Sequence, residues 1–216
     1  MAVDGTRTSK GAPQFVGVGA PATAADLNST NQWASDNIDG SVPTFGDLNT
    51  AGPFWPGKRR LVEADGIVYS WRNITLGWRP WESDWITYSA TLTNLAVGTT
   101  GSAITEYRYE AGMVRVSFAF TLGGTGFSVG TIPTMSLPVS AATFRAPNEY
   151  RNTIPVTLFD ANGGTSEGRV SAIAGSTTAV RLLNMPTGVA SPITATQPFT
   201  WAAGDQMVGE FTYRVA

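Results

Sequence analysis

Between Tyr107 and Leu122 the chain reads YRYEAGMVRVSFAFTL, in which Val114, Val116, Phe118, Phe120 and Leu122 alternate with Arg115, Ser117, Ala119 and Thr121. Side chains on a strand point alternately to opposite faces, so this pattern predicts a strand with one apolar face and one wet face. The stretch MVGEFTYRV repeats the device, setting Met207, Gly209, Phe211, Tyr213 and Val215 against Val208, Glu210, Thr212 and Arg214. Further strands are predicted at Tyr88 to Leu95, Ile104 to Glu110, Thr131 to Leu137, Thr153 to Asp160, Glu167 to Ala174 and Ala179 to Leu183. Gly or Pro stands in every joint between them, and nothing in this half has helical period. Eight strands with turn-rich joints predict an all-β fold, an antiparallel β-sandwich of jelly-roll type whose apolar faces build a sheet-on-sheet core.

The first part of the chain reads differently. Residues 1–40 have no sustained period of 2 or 3.6, although Phe15, Val16, Val18 and Trp33 lie among them. Two readings follow: an extended arm that orders against a partner or neighbouring subunit, or a flexible terminus with one residue tucked onto its own domain. Residues 41–82 form a small strand-rich module. Thr44 to Thr50 offers a short helical turn, with Thr44 as cap and Asp47 three residues on. RRLVEADGIVYSW then reads as a hairpin turning on Asp65-Gly66, and RNITLGWRPW supplies a third short strand. Six of the seven Trp residues lie at or before Trp85, which sets a seam near Glu82 to Asp84 and a sandwich domain over 83–216.

Composition narrows the chemistry. Charged residues are 14% of 216, against roughly 25% in a typical soluble domain, and Gly (24) and Pro (13) are abundant. The formal charge of −2 and the two lysines, Lys10 and Lys58, argue against a nucleic-acid partner, which needs a dense basic patch. With no Cys and no His, disulfides, thiolate metal sites, Cys nucleophiles and the serine–histidine relay are all excluded. No apolar run reaches the length of a membrane span. The opening MAVDGTRTSKG lacks the basic-then-apolar layout of a secretory signal.

Few stretches invite a chemical reading. LGGTGFSVG, with Gly123, Gly124, Gly126 and Gly130, lacks the Gly-Lys-Ser/Thr of a phosphate loop and reads as a hairpin loop. FDANGGTSEG groups Asp160, Asn162 and Glu167 near two glycines, but its spacing is not that of a calcium loop and it too reads as a turn. Glu82 and Asp84 are an acidic pair among aromatics, conceivable for glycoside hydrolysis and more naturally a solvated linker. Trp71, Trp78, Trp81 and Trp85 carry the better lead: indole faces stack on sugar rings, yet a module this short also needs large side chains to make a core. No catalytic residue, cofactor or metal site is expected.

WITYSATLTNLAVGTTGSAITEYRYEAGMVRVSFAFTLGGTG, then SLPVSAA, then FTWAAGDQMVGEFTYRVA resemble the C-terminal β-domain of minor tail or tail-fibre-like proteins of tailed actinobacteriophages. GPFWPGKRRLVEADGIVYSWRNITLGWRPW is similar to the hairpin module that precedes such domains. The resemblance implies a virion protein, a homotrimeric β-structured appendage at the tail tip that contacts the host envelope and its glycans, with no catalytic residues. It further implies partners among other virion proteins and release from the host by lysis. The chain has no repeat or heptad run to form a shaft. That keeps open a head fibre or capsid decoration protein docked on the shell by its N-terminal arm. Two other classes stand beside these: a free carbohydrate-binding module, and a glycan-cleaving enzyme working through Glu82 and Asp84.

Overall fold

The computed structural model describes residues 2–7, 13–16, 40–50, 54, 56–142, 156–173, 175–185 and 190–216, and among these the fold is all-β apart from one helical turn. The chain divides into two compact units, Met1–Trp81 and Glu82–Ala216.

In the first unit, β1 (Ala2–Arg7) pairs antiparallel with β2 (Pro13–Val16), setting Val3 opposite Phe15 and Ala2 opposite Val16. Part of the segment expected to be an arm is therefore a strand pair. Asp4 and Gly5 are poor strand formers, so its pattern hides the strand. Val18 and Trp33 lie outside the described residues.

A second sheet runs in the order β3 (Gly40–Val42), β4 (Arg59–Val62), β5 (Ile67–Trp71), β6 (Trp78–Ser83), with β3 parallel to β4 and β4 antiparallel to β5. The helical turn α1 (Phe45–Leu48) begins where expected: Asp47 Oδ2 accepts from the Thr44 backbone N–H at 2.9 Å and from its hydroxyl at 2.7 Å. The predicted hairpin turn is also present. Gly66, at φ 68°, donates its N–H to the Val62 carbonyl at 2.9 Å, and Asp65 accepts from the Ile67 N–H and the Tyr69 hydroxyl, each at 2.9 Å.

Val42, Leu48, Val62, Ile67, Tyr69 and Trp78 are buried here. On β4 the register overrides hydropathy. Arg60 lies opposite Tyr69 and Val62 opposite Ile67, so Arg60 is buried while Leu61 is exposed. Lys58, two residues earlier, is also buried, with Nζ 6.0 Å from the Phe54 ring.

The second unit is one ten-stranded sheet. Its strands are β7 (Ile86–Thr87), β8 (Leu92–Ala96), β9 (Ser102–Glu110), β10 (Met113–Thr121), β11 (Ser128–Ser136), β12 (Val156–Asp160), β13 (Gly164–Ala172), β14 (Ala179–Asn184), β15 (Ser191–Pro192) and β16 (Gln206–Arg214). Their order is β7-β9-β10-β16-β12-β13-β14-β11-β8, with β15 also on β14. Both ends of that order belong to one stretch of chain. Ile86 pairs with Tyr107 of β9, and the Tyr88 N–H reaches the Thr105 carbonyl at 3.0 Å. Three residues on, the Thr91 carbonyl accepts from the Ser136 N–H at 3.0 Å, and Leu92 lies opposite Met135 of β11. The sheet thus curls back on itself, and its two edges are covered by one crossing segment. The expected all-β, antiparallel fold is present in this unit, and its ten strands join in one hydrogen-bonded sheet whose end strands, β7 and β8, do not pair with each other.

Directly paired residues of an antiparallel ladder share a face. Inside, Val114 faces Tyr109 and Tyr213, Val116 faces Tyr107 and Phe211, Phe118 faces Thr105 and Gly209, and Phe120 faces Ala103 and Met207. All four β10 residues of this set are essentially sealed from solvent, with Leu158, Met135, Leu182 and Ile193. Each such side chain contributes about 1.5–3 kcal/mol relative to exposure. Where β8 meets β11 the ladder shifts, and Asn94 (φ 58°) and Ile132 (φ 53°) take left-handed backbone. β11 begins at Ser128, three residues before the expected Thr131.

Candidate functional site

The registers bring four connections to one end of the curled sheet. Thr121 of β10 lies opposite Ser102 and Gln206, Gln206 opposite Phe159, Asp160 opposite Gly164, and Ser128 opposite Ala96. Loops 97–101, 122–127, 161–163 and 201–205 therefore lie together. Two of them hold the stretches singled out as a possible phosphate loop and a possible calcium loop.

The first two interlock through their backbones. Thr99 N–H donates to the Thr125 carbonyl at 3.1 Å, Gly123 N–H to the Val97 carbonyl at 2.8 Å, and Thr125 N–H to the Thr99 hydroxyl at 3.2 Å. The approach is so close that a Cβ on Gly98 (φ 86°) would lie 2.1 Å from the Gly123 carbonyl oxygen. These glycines hold two loops in contact, as the hairpin-loop reading of LGGTGFSVG expects.

Asp205 ties in the remaining loops. Fully buried, it accepts from the Ala161 N–H through Oδ1 at 2.9 Å and from the Ala202 N–H through Oδ2 at 2.7 Å. Its own carbonyl takes the Leu122 N–H at 2.9 Å, and the Gly204 N–H takes the Leu122 carbonyl at 2.7 Å. Trp201 is buried nearby, its indole N–H donating to the Thr194 carbonyl at 2.9 Å. The Asp205 carboxylate thus fixes the 161 and 202 segments, and the Gly204-Asp205 backbone fixes the 122 segment. The sequence displayed it only as the Gly204-Asp205 pair in a strand's approach, a common turn signal. In the 160–167 turn, Asp160 Oδ1 accepts from the Asn162 N–H at 2.8 Å. Among the described residues no group of three or more carboxylates stands close enough to hold a metal.

What this end presents outward is Thr99, Thr100, Gly124, Thr125, Gly126, Asn162 and Gly163, all exposed. Hydroxyls, an amide and peptide groups can exchange hydrogen bonds with a neutral, hydroxyl-rich ligand. They offer no acid–base pair.

The wet face of β9, β10, β16 and β12 carries two textures. Near one end, Arg115 donates to Glu210 Oε2 from Nε at 2.9 Å and from Nη2 at 2.5 Å, while Glu110 Oε2 lies 3.5 Å from Arg115 Nη1 and 3.1 Å from Arg108 Nη2. The bond to Glu210 raises the Arg115 pKa and holds its charge. Toward the loop end, Ile104, Ala119 and Val208 form one cross-strand row with Phe159 beside it. Ile104 is 55% exposed, and Val208 and Phe159 are 39% exposed. Three apolar side chains thus stand exposed together on the outer face of the sheet.

The core side of the opposite end gathers Tyr88, Tyr107, Tyr109 and Tyr213, with Tyr88–Tyr107 and Tyr107–Tyr109 ring centroids 5.8 and 5.9 Å apart. Tyr213 donates to the Val139 carbonyl at 2.8 Å. Burial raises the pKa of Tyr88 and of Tyr213.

The four tryptophans have separate roles. Trp71 and Trp78 pack edge to face at 5.7 Å, Phe54 stacks on Trp71 at 4.5 Å, and the buried Trp78 donates its indole N–H to the Leu48 carbonyl at 3.2 Å. Those two are core. Trp81 lies under two guanidinium groups, Arg59 at 4.8 Å and Arg72 at 4.7 Å, and Trp85, in the second unit, lies under Arg108 at 4.9 Å. Phe15 and Val16 are on β2. Glu82 and Asp84 are both exposed. No protein-family model matches the chain, and no curated protein matches it.

Proposed function

We propose that the chain is a structural virion protein of a tailed bacteriophage, an oligomeric tail-tip or fibre-like appendage that works by contact and not by catalysis. The observation that carries this reading is the loop end of the second unit, where Asp205 and interlocked glycines tie four loops together on a curled sheet with a filled core. A site of that kind has its recognition groups pre-ordered, so binding does not have to pay for ordering them. Its exposed threonines, glycines and asparagine suit a neutral, hydroxyl-rich polymer such as a host envelope glycan. The apolar row Ile104, Val208 and Phe159 suits a subunit contact within a homotrimer, and the sequence resemblance points the same way.

Antibody raised against the purified chain tests the assignment on particles whose genome encodes it. Label at the tail end is the expected result. Label on the capsid would move the protein to the head, as a fibre or decoration protein, and particles free of label would overturn a virion role.

A further inference from the structure

The connection between β5 and β6 displays two aliphatic side chains on a locked turn. Ile74 is 93% exposed and Leu76 49% exposed, the former the largest exposure of any large apolar side chain among the described residues. The turn that carries them is fully tied. Asn73 Oδ1 accepts from the Thr75 N–H at 2.9 Å and from the Leu76 N–H at 2.8 Å, the Asn73 carbonyl accepts from the Gly77 N–H at 2.8 Å, and Arg72 N–H donates to the Gly77 carbonyl at 3.0 Å. Gly77 sits at φ 63°, the left-handed region this closure requires. A loop that could fold its isoleucine away would do so; this one is built to hold it out.

Behind the tip stands a band of indole and guanidinium. Arg72 lies over the Trp81 ring at 4.7 Å and Arg59 at 4.8 Å, and Arg59, Arg72 and Arg79 are all exposed. From Gly66 to Trp81 the chain carries Arg72 and Arg79 and no acidic residue. An apolar pocket on a protein would accept the tip with no need of such a band. A bilayer uses each layer: aliphatic side chains enter the acyl region, while indole and arginine sit at the headgroups and favour anionic lipid.

We infer that the Asn73–Gly77 turn is a membrane-surface anchor whose ligand is an anionic lipid bilayer, entered by Ile74 and Leu76 and held at the headgroups by Arg72 and Arg79. The contact is peripheral, and among the described residues no helix is long and apolar enough to cross a membrane. The inference rests on the host-contacting reading for its setting and adds a second host contact, in the first unit.

The test is cosedimentation of the full chain with vesicles of phosphatidylcholine containing roughly one third phosphatidylglycerol, and with pure phosphatidylcholine vesicles. The parent chain should bind the mixed vesicles and bind the neutral ones more weakly. The double variant Ile74→Ser with Leu76→Ser should lose about tenfold in affinity, as should Arg72→Gln with Arg79→Gln. The serine variant should keep its thermal midpoint and its mass in solution. Failure of the parent chain to bind either vesicle, or undiminished binding by the serine variant, overturns the anchor. Either result with an intact trimer leaves the appendage reading standing, whereas a monomer that binds vesicles through Ile74 contradicts the appendage and keeps the anchor.

Discussion

Gly209 of β16 lies directly opposite Phe118 of β10, and a Cβ placed on it would come within 2.8 Å of Val156 Cγ2 and 3.2 Å of Phe118 Cζ. The missing side chain is the space that the Phe118 ring and Val156 fill. Gly209→Ala should therefore cost about 1–3 kcal/mol, the usual price of overpacking a sealed core. Urea unfolding reads it as a lower midpoint at unchanged slope, and an unaltered midpoint would mean that β12 shifts freely away from β16.

Asp205 governs the loop end. Asp205→Ala removes both acceptors and leaves the Ala161 and Ala202 N–H groups to find water, at a cost of about 3 kcal/mol. Hydrogen exchange should rise first at Ala161 and Ala202, and host adsorption should fall before the sheet unfolds. Uniform loss of protection across β9 and β10 would instead make Asp205 a general core residue.

Ala111 and Gly112 join β9 to β10 with φ of 52° and 77°, the pair of positive angles that a two-residue hairpin loop demands. Gly112 tolerates this, whereas Ala111 bears a Cβ against it. Ala111→Asn should stabilise the protein by about 1 kcal/mol, seen as a higher thermal midpoint.

The tyrosine end sets an alkaline limit. Tyr88 and Tyr213 have pKa values raised by burial in the folded state, so the fold favours their protonated forms. Their contribution is complete below the unfolded tyrosine value of about 10 and is lost as pH rises above it. Unfolding by base should thus coincide with ionisation of these two phenols. Tyr88→Phe should move the limit to higher pH, and ionisation of all tyrosines before unfolding would contradict the burial argument.

How much of this could be read in advance follows the physics of each element. The strand Met113–Thr121, the Thr44 cap and the Asp65-Gly66 turn were legible because their signals are local: alternation, a side-chain acceptor three residues on, a residue tolerant of positive φ. Closure of the sheet by Ile86–Ala96 was not, since period 2 says which face a residue takes and never which strand it meets. The same limit hid Arg60, buried because Tyr69 lies opposite it. Loop neighbours were equally invisible. Gly98 and Gly123 are 25 positions apart and look like independent turns until their backbones touch. Trp71 and Trp78 left two readings open; Trp78 is buried, and Trp71 packs against it half-buried.

The central claim is that this chain assembles with itself through the outer face of its curled sheet. Light scattering on the full chain, beside the single variant Ile104→Asp, tests it most directly. The account predicts a mass near three times 22.8 kDa for the parent, falling to one chain when a carboxylate is set into the apolar row. A parent chain that runs as a monomer would contradict it.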